Sequence, residues 1–337
     1  MHQVDKSKIS PLLTKQNLSV LKASYIKAIP QLSAPQKQLS DQRLAVLQRT
    51  NADFQGQLQG LFKEQGVDPK KLNDELKLIF GLSDPKQQEL KLAEFKQKNA
   101  LLFSTAQKRF IASGLSKSLV SRYPLGRNQK LRPGPNPGEV VIEDDPPPPP
   151  PPPASSDLRL TAPFSFSGLS ERSRGCEASD QGGLRANIDK YMDSGKRTAF
   201  VGQVLIVPAG VRSVEVTAVF SDTYFSTYAV VVGGYASADT HIGLQLLTEG
   251  NQLLSEDRRT MANVSLPIGG NVSDRRGPNG PPVSLIGRYN RPDPAREERL
   301  HLVLTAEAWC GGGGLLGGGG GALSAGTLER FDVRLVR

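Results

Sequence analysis

Two cysteines, one tryptophan, three histidines and no long apolar run set the first limits on what this 337-residue chain can do. Cys176 and Cys310 are too few for a disulfide framework or a zinc site of their own, which leaves one possible bridge or two thiols. No stretch approaches the ~20 apolar residues of a membrane-spanning helix. Met1-His2-Gln3-Val4-Asp5-Lys6 leads into no apolar core of a signal peptide, so the expected location is the cytoplasm or an export route without a cleaved signal. The histidines are His2, His241 and His301. His301 alternates with Leu300 and Leu302, as a strand residue on the other face would, and Asp239-Thr240-His241 resembles an acid–base or metal site only loosely. Cys310 has no histidine near it in sequence. Phosphate-cradling loops, zincin helices and nucleophile elbows are absent. No catalytic residue, metal site or cofactor is expected. Asn263-Val-Ser265 and Asn271-Val-Ser273 fit the glycosylation sequon, a pattern short enough to arise by chance.

Lysine is nearly missing from the second half, where only Lys190 and Lys196 occur after the proline run. In residues 1–132, 17 Lys and 6 Arg stand against 6 Asp and 4 Glu, a net +13, while the rest of the chain carries −4. The basic half attracts an acidic protein or, non-specifically, nucleic acid.

That half is punctuated for helices. Ser10-Pro11 opens a helix that carries Leu18, Leu21, Tyr25, Ile26 and Ile29 to Pro30. Ser33 and Pro35 open the next, Asp68-Pro69 a third, and Asp84-Pro85 a long fourth running toward Gly114. Leu44, Leu47, Asn51 and Phe54 repeat the spacing of Leu92, Phe95, Asn99 and Leu102. Asn51 and Asn99 thus stand as seam residues of a short coiled coil or self-associating bundle, beside the simpler reading of an ordinary amphipathic bundle.

From Pro124 the helical pattern stops. Glu139–Ile142 suits a short strand added to a sheet edge. The eight prolines Pro146–Pro153 form a polyproline II rod on the order of 25 Å long. The rod reads as a spacer holding two modules apart, with recognition by a proline-binding domain as the lesser alternative.

After it the period becomes two. Leu158–Phe166 alternates, Gln203–Phe220 reads as a hairpin about Pro208-Ala209-Gly210, and further short strands bring the expected total to nine or ten. Glu171–Ser194, Asn271–Pro282 and Gly311–Gly321 read as loops. The third is taken as a flexible connection, or as one presenting an apolar tip at Leu315-Leu316. Cys176 and Cys310 fall near the start and finish of this module, where a bridge is possible.

The expected fold is multidomain α + β: an N-terminal α-helical bundle (1–124), a polyproline linker (125–156) and a C-terminal antiparallel β-sandwich, jelly-roll-like (157–337). The function read from this is a non-catalytic two-module interaction or assembly protein, homo-oligomeric. Its basic module docks or oligomerises, and its sandwich binds a protein or glycan ligand through Arg275, Arg276, Trp309, Leu315 and Leu316. The alternative is a structural shell or capsid-like protein whose basic module binds nucleic acid. The third is an effector enzyme carried by the C-terminal module.

Overall fold

A computed structural model describes residues 14–82, 84–125, 129–133, 140–144, 157–171, 173, 175–266, 269–277, 282–314 and 317–337. The N-terminal part is helical: α1 Lys15–Leu32, α2 Ala34–Glu64, α3 Pro69–Phe80, α4 Pro85–Lys98, α5 Ala100–Ala112 and α6 Leu115–Arg122. The starts follow local chemistry. Asp68 and Asp84 accept the amides of Lys70 and Lys86, both at 2.9 Å, and a proline follows each cap. The long fourth helix expected to run toward Gly114 is broken at Asn99, which leaves helical geometry (φ −106°, ψ 15°) and gives its side-chain amide to Phe95 O at 2.8 Å.

The rest is antiparallel strand: β1 Gln129–Pro133, β2 Val140–Asp144, β3 Leu158–Thr161, β4 Phe166–Leu169, β5 Glu177–Ala178, β6 Gly183–Tyr191 and β7 Ser194–Val207. These are followed by β8 Ser213–Val232, β9 Tyr235–Thr248, β10 Leu253–Leu266, β11 Gly269–Arg276, β12 Val283–Asn290, β13 Glu298–Gly313 and β14 Gly318–Val336. One sheet, A, runs β1-β2-β10-β9-β13-β7-β4. The other, B, runs β11-β8-β14-β6-β5, with β12 also on β8 and β3 on β14. Alternate residues turn inward, and Leu205, Leu244 and Leu302 of sheet A meet Val216, Phe220 and Phe331 of sheet B in one core.

Three expectations about strands change. Leu158–Phe166 is not one strand, because the chain leaves sheet B after Thr161 and enters sheet A at Phe166. Gln203–Phe220 is not a hairpin: β7 pairs with β13 and β8 with β14, so its turn is an arch between sheets. Proline and glycine mark an arch as readily as a hairpin. Parts of two expected loops are strands, since β6 lies within Glu171–Ser194 and β11 extends into Asn271–Pro282 as far as Arg276. The edge strand expected at Glu139–Ile142 is β2, which pairs with β1 and touches β10 at Ser265.

Four connections between the sheets, β6–β7, β8–β9, β10–β11 and β13–β14, gather at one end. The glycine run belongs to this corner. Gly311–Gly313 and the glycines from Gly318 to Gly321 are buried strand residues, not a flexible loop. A Cβ on Gly234 would stand 2.2 Å from Gly313 O and 2.6 Å from Gly317 O. Two crossing backbones touch there, which leaves no room for a side chain. Leu315 and Leu316 lie outside the described residues.

The helices rest on this corner and on sheet A. Asn51 donates to Gly234 O at 2.7 Å, and Phe80 packs on Tyr191 with ring centres 5.1 Å apart. Leu47, Phe54, Phe95 and Phe110 form a helical core that also takes in Val230 of β8. Tyr25 and Ile29 of α1 pack on Phe166, Phe200, Val204 and Val303. The prolines 146–153 lie outside the described residues; among the described ones, helices and sheets share cores. Asn51 donates its amide to the sheet and Asn99 to its own helix.

Two glycines make opposite tests. Gly234→Ala forces a methyl into the backbone crossing and should cost about 3 kcal/mol in denaturant unfolding. Gly56→Ala, in α2 with nothing within 4 Å of the added methyl, should instead stabilise by about 0.5–1 kcal/mol.

Candidate functional site

Helix α2 lies along β9. Gln36 reaches His241, Ser40 and Arg43 reach Asp239, and Asn51 reaches Gly234. From Gln36 to Asn51 a helix advances about 22 Å, and from His241 to Gly234 a strand covers about 23 Å, so the two elements keep step. The face they enclose is polar. Ser237, Asp239, His241 and Gln245 alternate along β9, Thr305 and Glu307 along β13, and all are buried beneath the helices.

Arg43 is the centre of this layer. Its side chain has no exposed surface; Nη1 lies 3.5 Å from Asp239 Oδ2, Nε donates to Pro124 O at 3.2 Å, and the guanidinium stands 5.9 Å from the centre of the Tyr123 ring. One side chain therefore joins α2, β9 and the segment after α6. Tyr123 continues the contact by hydrogen-bonding Ser265, which meets Ser237 at 2.8 Å.

A second group surrounds Glu307. Lys196 Nζ lies 2.9 Å and Arg258 Nη1 3.2 Å from its Oε2. Arg258 also binds Glu256 at 2.8 Å, Gln245 donates to Glu256 at 2.9 Å, and Tyr25 of α1 donates to Gln245 at 2.8 Å. Burial alone would raise the Glu307 carboxyl, but Arg258, Lys196 and His241 hold it down at about 2. Burial pushes His241 down to about 3; Glu307 opposes this while Arg258, Lys196 and Arg43 reinforce it. Burial raises the Tyr25 hydroxyl. These groups are paired with one another and covered by α1 and α2. Their chemistry is adhesive: they hold helix to sheet.

The solvent side of the helices is different. The end of α2 and the end of α5 are joined by the Arg109–Glu64 ion pair, and α3 starts five residues after α2 ends. Lys63 and Lys108 are the sequence neighbours of the paired residues, and Lys70 and Lys71 open α3; all four are exposed and without an ion pair among the described residues. On the outer side of α3 and α4, a groove of about 680 Å³ is lined by Leu78, Leu82 and Leu90. A smaller cleft, about 530 Å³, opens where α1 meets the sheet edge, between Lys22, Ser170, Glu171 and Glu177.

The residues singled out from sequence are scattered. Arg275 is exposed on β11 and pairs with Glu89 of α4 at 2.7 Å; Arg276 is exposed and lies 3.7 Å from Asp274. Trp309 is not an exposed anchor. It is buried on the helix-facing side of β13, beside Gly311 and beneath α2 at Leu44. The bridge considered between Cys176 and Cys310 is not formed, and both are free thiols. Cys176 exchanges hydrogen bonds with the backbone of Asn187, and Cys310 Sγ faces Ile188 O at 3.9 Å, so each is engaged at β6 and not with the other. His301 is buried beside Phe166, not at the surface. Among the described residues no three His, Cys, Asp or Glu side chains group as metal ligands, and no described helix is long and apolar enough to cross a membrane.

Sequence reasoning missed the layer around Arg43 and Glu307. The usable signal was a polar stripe at helical spacing, Gln36, Ser40, Arg43 and Asn51, matched by period-two polar residues on β9. Taken singly, each reads as a solvated face.

No protein-family model matches the chain, and no curated protein matches it. Among solved structures, TmCBM61 in complex with β-1,4-galactotriose is 13% identical over 45% of this chain and 70% of that one, with a TM-score of 0.14. The CBM22-1 xylan-binding domain of Paenibacillus barcinonensis Xyn10C is 16% identical over 53% and 94%, with a TM-score of 0.18. A structure of infectious bursal disease virus, Gt strain, is 15% identical over 61% and 46%, at 0.12. Overlap this slight carries no weight for function.

Two outcomes test the buried layer. Arg43→Met strands Asp239 without its cation and should cost about 3–5 kcal/mol, whereas Arg43→Met with Asp239→Leu should recover much of that; urea unfolding of both variants decides it. Acidification should also weaken the fold. The unfolded chain takes up protons at His241 below about 6.5 and at Glu307 below about 4.5, while in the folded protein these values are about 3 and about 2. The unfolded state therefore holds more protons across this window, and stability falls as pH drops from 6.5 toward 2. In His241→Gln the urea midpoint should change less between pH 6.5 and 4.5 than in the parent protein.

Proposed function

We propose that this chain is a non-catalytic interaction protein, built from a basic helical module and a jelly-roll-like β-sandwich. The helical module docks an acidic protein surface, and the sandwich presents a second binding face. The observation that carries the reading is the lysine cluster at Lys63, Lys70, Lys71 and Lys108. Carboxylates are used to neutralise cations inside the helix–sheet layer, while these four are left unneutralised at one end of the helices. A concentrated single-sign patch steers an oppositely charged partner and raises its rate of encounter. Lysine, a flexible point charge, suits an uneven array of carboxylates, whereas phosphate and base recognition favours the arginine fork. The cleft beside α1, lined by Lys22, Glu171 and Glu177, offers the sandwich a mixed-charge site for a polar ligand, protein or glycan.

Retention on immobilised polyglutamate and on duplex DNA, measured against salt, tests this. The expected result is retention on polyglutamate that weakens steeply with salt. It should fall at least about tenfold in the Lys63→Glu, Lys70→Glu, Lys71→Glu, Lys108→Glu variant. Stronger retention on DNA would favour a nucleic-acid partner, and retention on neither would overturn the reading.

A further inference from the structure

Helices α3 and α4 each carry two stripes. The inner one, Leu72, Leu76 and Ile79 with Leu92 and Phe95, fills the helical core. The outer one follows the same helical spacing: Glu75, Leu78 and Leu82 from α3 onward, and Gln87, Leu90 or Lys91, and Glu94 along α4. Leu78 is 75% exposed and Leu90 59% exposed, and both line the groove of about 680 Å³. A lone exposed leucine is ordinary; several lining one groove between two helices mark a docking face.

The rim says what docks. It carries two acids and two bases, already matched: Lys98 reaches from α4 to Glu75 of α3 at 3.0 Å, and Lys91 meets Glu94 at 2.7 Å. The rim is neutral, within a half of the chain that carries +13 over residues 1–132. Two copies approaching by the lysine end repel one another. Approaching through α3 and α4 they meet without net repulsion, and a two-fold axis lets each lysine face a glutamate of the other copy. An acidic partner, by contrast, is drawn to the lysine end and gains nothing from a neutral rim.

We infer that the outer face of α3 and α4 is a self-association surface, on which a second copy of this chain docks by the same two helices. At about 1.5 Å per residue these helices are roughly 20 Å long, so the contact is small and falls in the class of concentration-dependent dimers. The inference does not rest on the acidic-partner reading, since none of its residues belongs to the lysine cluster.

Sedimentation equilibrium of the full chain across low to high micromolar concentration tests it. The expected result is a monomer–dimer equilibrium, weakened at least about tenfold by Leu78→Glu or Leu90→Glu. Both positions are exposed, and circular dichroism checks that the variants fold. A copy with Lys91→Glu and Lys98→Glu should be monomeric, as should one with Glu75→Lys and Glu94→Lys, while a mixture of the two should dimerise. A parent protein that stays monomeric throughout overturns the inference, as does a dimer that ignores both leucine changes. Failure of polyglutamate retention leaves all of these readouts intact.

Discussion

A guanidinium shut away from water must be met on every side, and Arg43 is met by three separate parts of the chain. Asp239 supplies the countercharge from β9, Pro124 O accepts from Nε, and the Tyr123 ring lies against the cation. Moving α2 by one turn along β9 would strand both Arg43 and Asp239 in a dry layer, a cost larger than most single contacts supply. The pair therefore sets helix register. It also fixes where the chain emerges from the helices, immediately before β1 and β2 join the edge of sheet A.

The glycine corner complements this lock. Four inter-sheet connections share one end of the sheets, and only residues without side chains allow Gly234, Gly313 and Gly317 to come so close. The flat backbone surface that results is what Asn51 and the neighbouring helices rest on. Polar register along α2 and backbone contact at the corner act together, and helices and sheets become one packed body.

Much of the local structure could be read from the sequence. Aspartate–proline pairs marked the starts of α3 and α4, and period-two alternation marked antiparallel strands after residue 157. The contact between helices and sheet could not be read. Asp239, His241 and Glu307 alternate with apolar neighbours just as solvent-facing strand residues do, and Gln36, Ser40 and Arg43 look like the wet side of a helix. Two polar faces that satisfy one another look, in sequence, like two faces satisfied by water. The nine glycines between Gly311 and Gly321 posed the same difficulty, because a segment that must touch backbone and one that need touch nothing share a composition. Trp309, read as one of the ligand-binding residues, is instead buried beneath α2.

Helix-on-sheet packing buries Arg43 against Asp239, while most cations of the helical half stay at the surface, and those on the outer side of α3 and α4 are balanced by glutamates. The proposed docking of an acidic partner and the proposed self-association use different surfaces of the same helices. Both depend on the helices being held on the sheet. The chain's single tryptophan, Trp309, lies in sheet A beneath α2, so its fluorescence reports the covered face while far-UV circular dichroism follows the helices. Denaturant unfolding recorded by the two signals should give coincident transitions. Helices lost at low denaturant while Trp309 stays unchanged would contradict the account.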